Sequence, residues 1–65
     1  MYFEIKDLVK DKELPLCGTN DDGEAVVIEW SNDYNAYKVA TLQHNGWVRV
    51  NYYYEDGTVE EIYEK

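Results

Sequence analysis

Apolar and polar positions alternate in two different rhythms along this chain, and the change falls near residue 24. Over residues 3–14, Ile5, Leu8, Val9 and Lys12 recur at helical spacing with charged residues between them. The spacing predicts an amphipathic helix. Pro15 should end it, because proline disfavours helix at the residue before it. The competing reading is a short strand at residues 2–6, which would make the chain a small all-β barrel of SH3-like size. Residues 17–23, Cys-Gly-Thr-Asn-Asp-Asp-Gly, carry turn formers and predict a loop.

From residue 24 the pattern is that of strands. Glu24 to Trp30 holds the β-branched run Val26-Val27-Ile28. Ser31-Asn32-Asp33-Tyr34-Asn35 is a turn cluster. Ala36–His44, Trp47–Glu55 and Thr58–Tyr63 alternate as strands around Asn45-Gly46 and Asp56-Gly57. Those dipeptides are strong hairpin signals, because tight hairpin turns require positive φ. The expected fold is therefore α+β: an N-terminal helix packed on a three- or four-stranded antiparallel meander, in a single domain spanning residues 1–65.

Two-residue turns would fix the register. Gln43 would face Val48, Val39 would face Tyr52, and Tyr54 would face Val59. One face would then collect Tyr37, Val39, Val48, Val50, Tyr52, Tyr54, Val59 and Tyr63, as the core beneath the helix. Arg49 and Tyr53 would point outward. The other face would be mixed, with Leu42, Trp47 and Ile62 among polar groups. A bulge at either glycine would slip the register by one and exchange the faces.

Composition narrows the function more than the fold. Fourteen Asp and Glu stand against six Lys and Arg, a net charge of -8 on 65 residues. Such a field repels nucleic acid and anionic membrane, so the expected partner is a basic protein. The acids are segregated. Residues 20–33 carry Asp21, Asp22, Glu24, Glu29 and Asp33 with no base, and residues 52–65 carry Glu55, Asp56, Glu60, Glu61 and Glu64 against Lys65. Residues 34–51 hold Lys38 and Arg49 and no acid. Seven Tyr and two Trp, including Tyr52-Tyr53-Tyr54, add aromatic surface. A stacking platform for single strands needs a positive groove, which this chain lacks. The 45% hydrophobic content is too high for a disordered acidic tail. No apolar run reaches signal-peptide or membrane-spanning length, which predicts a soluble cytoplasmic protein.

Catalytic chemistry finds little support. The single Cys17 and single His44 form a nucleophile–base pair only on paper, since nothing in their spacing brings them together. Cys17 is expected to plug a core edge and His44 to lie exposed at a hairpin tip. Asn20-Asp21-Asp22-Gly23-Glu24 suggests calcium but lacks the ligand spacing and trailing bidentate Glu of an EF-hand loop. One Cys and one His do not make a zinc site. No enzyme activity and no cofactor are expected.

In size, acidity and hairpin content the chain is similar to small phage-encoded inhibitors of host defence, such as anti-CRISPR, anti-restriction and uracil-DNA-glycosylase-inhibitor proteins. The likeness is one of composition. It implies a non-enzymatic binding protein whose carboxylates mimic the phosphates of a nucleic acid on a basic groove. The expected contact residues are Asp21, Asp22, Glu24, Glu29, Asp33, Glu60 and Glu61, with Trp47 and Tyr53 as aromatic anchors. The alternative is a structural module that self-associates as a homodimer through its mixed sheet face.

Overall fold

Tyr2, Ile5 and Val9 share one helical face, and all three are buried against a sheet. They belong to the N-terminal element of a computed structural model that describes all residues, 1–65. In chain order the elements are α1 (Tyr2–Leu8), β1 (Leu16–Thr19), β2 (Ala25–Ser31), β3 (Ala36–Leu42), β4 (Val48–Tyr53) and β5 (Val59–Glu64). The helix stops well before Pro15. Lys10, Asp11, Lys12 and Glu13 are charged and exposed, so a longer helix would bury nothing more. Lys12 Nζ donates to the Leu8 carbonyl at 3.2 Å and satisfies one of the acceptors left free at the helix end.

The strands form one antiparallel sheet in the order β1-β2-β3-β4-β5. The count is five, not the expected three or four, because residues 16–19 pair with β2 instead of forming a loop. Leu-Cys-Gly-Thr has no alternation of its own, and the neighbouring strand supplies the order. The sheet does not close into a barrel: β1 and β5 lie at opposite edges, and the N-terminal residues that would have made an extra strand are helical. The SH3-like alternative is thereby excluded. The Leu14–Pro15 peptide is cis.

Three of the four hairpin turns are built alike. Gly23 donates to the Asn20 carbonyl, Gly46 to Gln43 and Gly57 to Tyr54, at 3.0, 3.1 and 3.0 Å. Asn20, Gln43 and Tyr54 in turn donate to Glu24, Trp47 and Thr58, each at 3.0 Å. Each is a three-residue loop whose last residue is a glycine with φ of 80°, 89° or 94°. The extra residue shifts both central registers by one from the two-residue expectation. Leu42 faces Val48, Ala40 faces Val50, and Tyr53 faces Val59.

The shift redistributes the expected core. Tyr37, Val39 and Tyr53 lie on the helix side, where Tyr2, Ile5, Val9 and Tyr37 form the main cluster with Leu14, Leu16 and Ile28 packed against it. Val48, Val50 and Tyr52 lie on the opposite side, with Ala36 completing a second, smaller cluster. Val50 is the most enclosed large side chain, at 1% exposure. The ring of Tyr34, from the β2–β3 turn, sits 4.5 Å from that of Tyr52 and helps to cover this end.

Cross-strand register orders the rest of this second face into rows. Cys17, Val27, Ala40, Val50 and Ile62 form one row across all five strands. Thr19, Ala25, Leu42, Val48 and Glu64 form the next. Glu29, Lys38, Tyr52 and Glu60 form the row on the other side of the first. No helix of the chain is long and apolar enough to cross a membrane.

Candidate interaction surface

The acidic residues are placed by the turns and by the register. Pairing of Ala25 with Leu42 and of Val48 with Glu64 puts the 21–23 and 44–46 turns and the C-terminal end of β5 at one end of the sheet. Asp21, Asp22, Glu24 and Trp47 therefore gather there. Asp33 lies at the other end, with the Glu55-Asp56-Gly57 turn, because Ser31 pairs with Ala36 and Tyr53 with Val59. Glu29 and Glu60 share a row on the face opposite the helix, whereas Glu61 lies on the helix face. The nine expected contact residues thus occupy both ends and both faces. The strand order still sets the acid-free 34–51 hairpin between the two acidic stretches.

The two aromatic anchors fare differently. Tyr53 is half-buried and packs against the helix-side cluster, so its ring is part of the core. Trp47 is 39% exposed, with Lys65 Nζ 5.3 Å from its ring centroid. Arg49 is half-buried instead of fully exposed.

The carboxylates are largely without cationic partners. The single salt bridge joins Glu4 to the N-terminal amine at 3.6 Å. Lys38 faces Glu29 across β2 and β3 without closing an ion pair. Three carboxylates have internal roles: Asp56 accepts from the amide and hydroxyl of Thr58, Glu61 accepts from Asn51 Nδ2 and the Tyr63 hydroxyl, and Glu24 bridges two turns. Glu24 Oε1 accepts from Asn20 Nδ2 at 3.0 Å, and its Oε2 accepts from the His44 amide at 3.2 Å. Asn20 Oδ1 accepts from the amides of Asp22 and Glu24. Within the loop that suggested a cation site, the side-chain oxygens of Asn20 and Glu24 are thus engaged, Glu24 reaching the third hairpin turn through the His44 amide, while the Asp21 and Asp22 carboxylates accept no hydrogen bond. The His44 ring is hydrogen-bonded to the Asp22 carbonyl at 3.0 Å, and Cys17 is exposed on β1 instead of closing a core edge.

These bonds set the acid response. The Asn20 side chain, followed by the His44 amide and the charges of His44 and Arg49, holds the Glu24 carboxyl below its ordinary 4.5. The hydroxyl and amide of Thr58 hold Asp56 below its ordinary 3.8. Partial burial, and then the charge of Glu60, push the Tyr54 hydroxyl up. A carboxyl with a depressed folded-state pKa contributes stability that is complete above its unfolded value and disappears as pH falls through the folded one. Relief of self-repulsion works the other way as the net charge shrinks. The urea midpoint should therefore hold or rise from pH 7 to about pH 5 and fall below about pH 4. Glu24→Gln with Asp56→Asn should flatten that acid limb. A midpoint that climbs steadily to pH 2 would show that neither carboxylate is stabilising.

The one cavity is a groove of about 310 Å³ between the end of α1 and the β1–β2 hairpin. Leu8, Leu16, Gly18, Val26 and Ile28 line it. Apart from Cys17 it presents no titratable side chain, and its polar lining is Thr19 and Asn20, the latter with its amide group already bonded within the first turn. The feature that sequence reasoning missed is the pair of apolar rows on the face opposite the helix. Leu42 and Ile62 were visible as oddities of a mixed face, but only the observed register joins them to Val48 and Val50. Compared with known protein families, curated proteins and solved structures, the chain matches none.

Proposed function

We propose that this chain is a non-enzymatic binding protein that docks through an acidic surface on a basic protein partner. A nucleic-acid-processing or host-defence protein, whose phosphate-binding groove it would occupy, fits that description. The observation that carries the reading is the unpaired charge. A net charge of -8 is accompanied by one salt bridge, to the chain's own N-terminus. Carboxylates that are neither paired nor buried add self-repulsion to a small fold, and complementary charge on a partner relieves it.

The test is a kinetic one. Reversing Asp21, Asp22, Glu60 and Glu61 to lysine removes the net charge. Pull-down at about 0.05 M and about 0.5 M salt should recover a partner that the wild type releases at high salt. The reversed protein should then associate with it on the order of 100-fold more slowly at low salt, with a flattened salt dependence. Circular dichroism should show the same fold in both proteins. Undiminished association of the reversed protein at low salt would defeat the reading, as would direct binding of the wild type to DNA or RNA.

A second reading, self-association, is favoured by the exposed Leu42 and Ile62 on the uncovered sheet face, at 50% and 38% exposure. Light scattering of the purified protein separates the two.

A further inference from the structure

The sheet face opposite α1 departs from the usual economy of an antiparallel sheet. When one face packs on a core, the other is ordinarily polar and solvated. Here the two adjacent rows on that face hold eight apolar residues and only two polar ones, Thr19 and Glu64. Val50 fills the centre at 1% exposure, yet Leu42 and Ile62 on either side of it remain 50% and 38% exposed. No element of the chain covers them, since the only helix lies on the other face.

We propose that this band docks a cationic amphipathic helix of the partner, with the helix's apolar stripe on the band and its lysines and arginines over the carboxylates at the border. The proposal rests on the basic-partner reading above and adds the surface used and the kind of segment bound. Two observations choose the occupant. The first is the footprint. Five strands at about 4.8 Å spacing and two side-chain rows about 7 Å apart give a band with an outline of about 24 by 13 Å, at most about 300 Å². In it Cys17, Ala25, Leu42 and Ile62 are exposed, Val27, Ala40 and Val48 half-buried and Val50 buried. That outline suits one helix of about four turns, about 10 Å across. A stable protein interface needs about 800 Å² from each partner, so more than half of any interface here must come from the border.

The second is the charge of that border. Glu29 and Glu60 flank the band in one row and Glu64 ends the other, against the ammonium of Lys38, which faces Glu29, and that of Lys65, which lies over Trp47. A second copy laid on this face would bring the same carboxylates together in an assembly of twice the net charge of -8. A cationic helix meets them with opposite charge, and its apolar stripe meets the band.

A 16-residue helical peptide of leucine and lysine, with all its leucines on one stripe, is the probe. A scrambled peptide of the same composition is its control. Fluorescence anisotropy at 0.15 M salt should show the striped peptide binding about tenfold tighter than the scrambled one. Leu42→Gln with Ile62→Gln, both at exposed positions, should abolish that advantage, and Leu8→Gln on the helix side should preserve it. Equal binding of the two peptides, or an advantage that survives in the double variant, overturns the docking face. Salt-sensitive binding of both peptides in that outcome leaves the acidic reading standing, and salt-insensitive binding removes it as well. A wild-type dimer that Leu42→Gln with Ile62→Gln dissociates overturns the proposal in favour of a second copy.

Discussion

Tyr37→Ala is expected to leave this protein at or beyond the limit of folding at room temperature. Tyr37 sits in the central strand β3, with its ring centroid 5.1 Å from that of Tyr2 and 5.0 Å from that of Trp30. It is the sheet's own member of the buried helix-side cluster. Removing a buried aromatic ring costs about 3–5 kcal/mol, because the packing is lost and the cavity only partly collapses. Only eight of 65 residues are buried here. At roughly 0.05–0.15 kcal/mol per residue, such a chain holds about 3–10 kcal/mol in total. The loss therefore takes about a third of the stability at one limit and more than all of it at the other. Tyr37→Phe keeps the rings in contact and should cost less than about 1 kcal/mol. Urea titration followed by circular dichroism measures both. If Tyr37→Ala melts at the wild-type midpoint, the helix is not anchored through this residue.

The helix and the last four strands were legible because each carries its own period. Ile5 and Val9 lie one turn apart, and Val48, Val50 and Tyr52 alternate with Arg49 and Asn51. What the residues do not encode locally is whether Asn-Gly closes a loop of two residues or three. Both use a left-handed glycine, and they differ by one position in register. That one position decided which face each strand gave to the helix. Tyr37 and Tyr53 went under it, while Val50 and Tyr52 went to the far side. The strand β1 was illegible for a related reason. Four residues with a glycine among them show no period, and only pairing with Val26, Val27 and Ile28 makes them a strand.

The candidate surface was legible in its charge and illegible in its shape. The segregation of acids around an acid-free hairpin survives in space, because a meander keeps sequence neighbours as spatial neighbours. The apolar band did not show in the sequence, since Cys17, Val27, Ala40, Val50 and Ile62 come from five separate strands. A row across a sheet is a property of register alone. Tyr53 marks the same limit: its side was assigned correctly relative to Tyr52, but the helix turned out to lie on the side to which Tyr53 points.

The glycine turns offer the sharpest check on that register. Gly46 and Gly57 have φ of 89° and 94°, and a Cβ added at either would meet no atom within 4 Å. A substitution there meets backbone strain and no clash. An ordinary L-residue in left-handed conformation costs about 1–2 kcal/mol, and a β-branched one more. The two turns close opposite ends of the sheet, so the costs of Gly46→Val and Gly57→Val should add. About 3–4 kcal/mol in a domain of this size corresponds to a fall in melting temperature of roughly 15 °C or more. Asparagine, which tolerates positive φ, should cost less than valine at both sites. Gly18 supplies the internal control, as it has no positive φ, lies within β1 and has open space around its missing Cβ. Gly18→Val should leave the melting temperature unchanged or raise it, since valine favours a strand and would fill part of the groove beside Leu8 and Val26. Equal losses at all three glycines would falsify the turn geometry, because they would mean that backbone conformation is not what distinguishes Gly46 and Gly57 from Gly18.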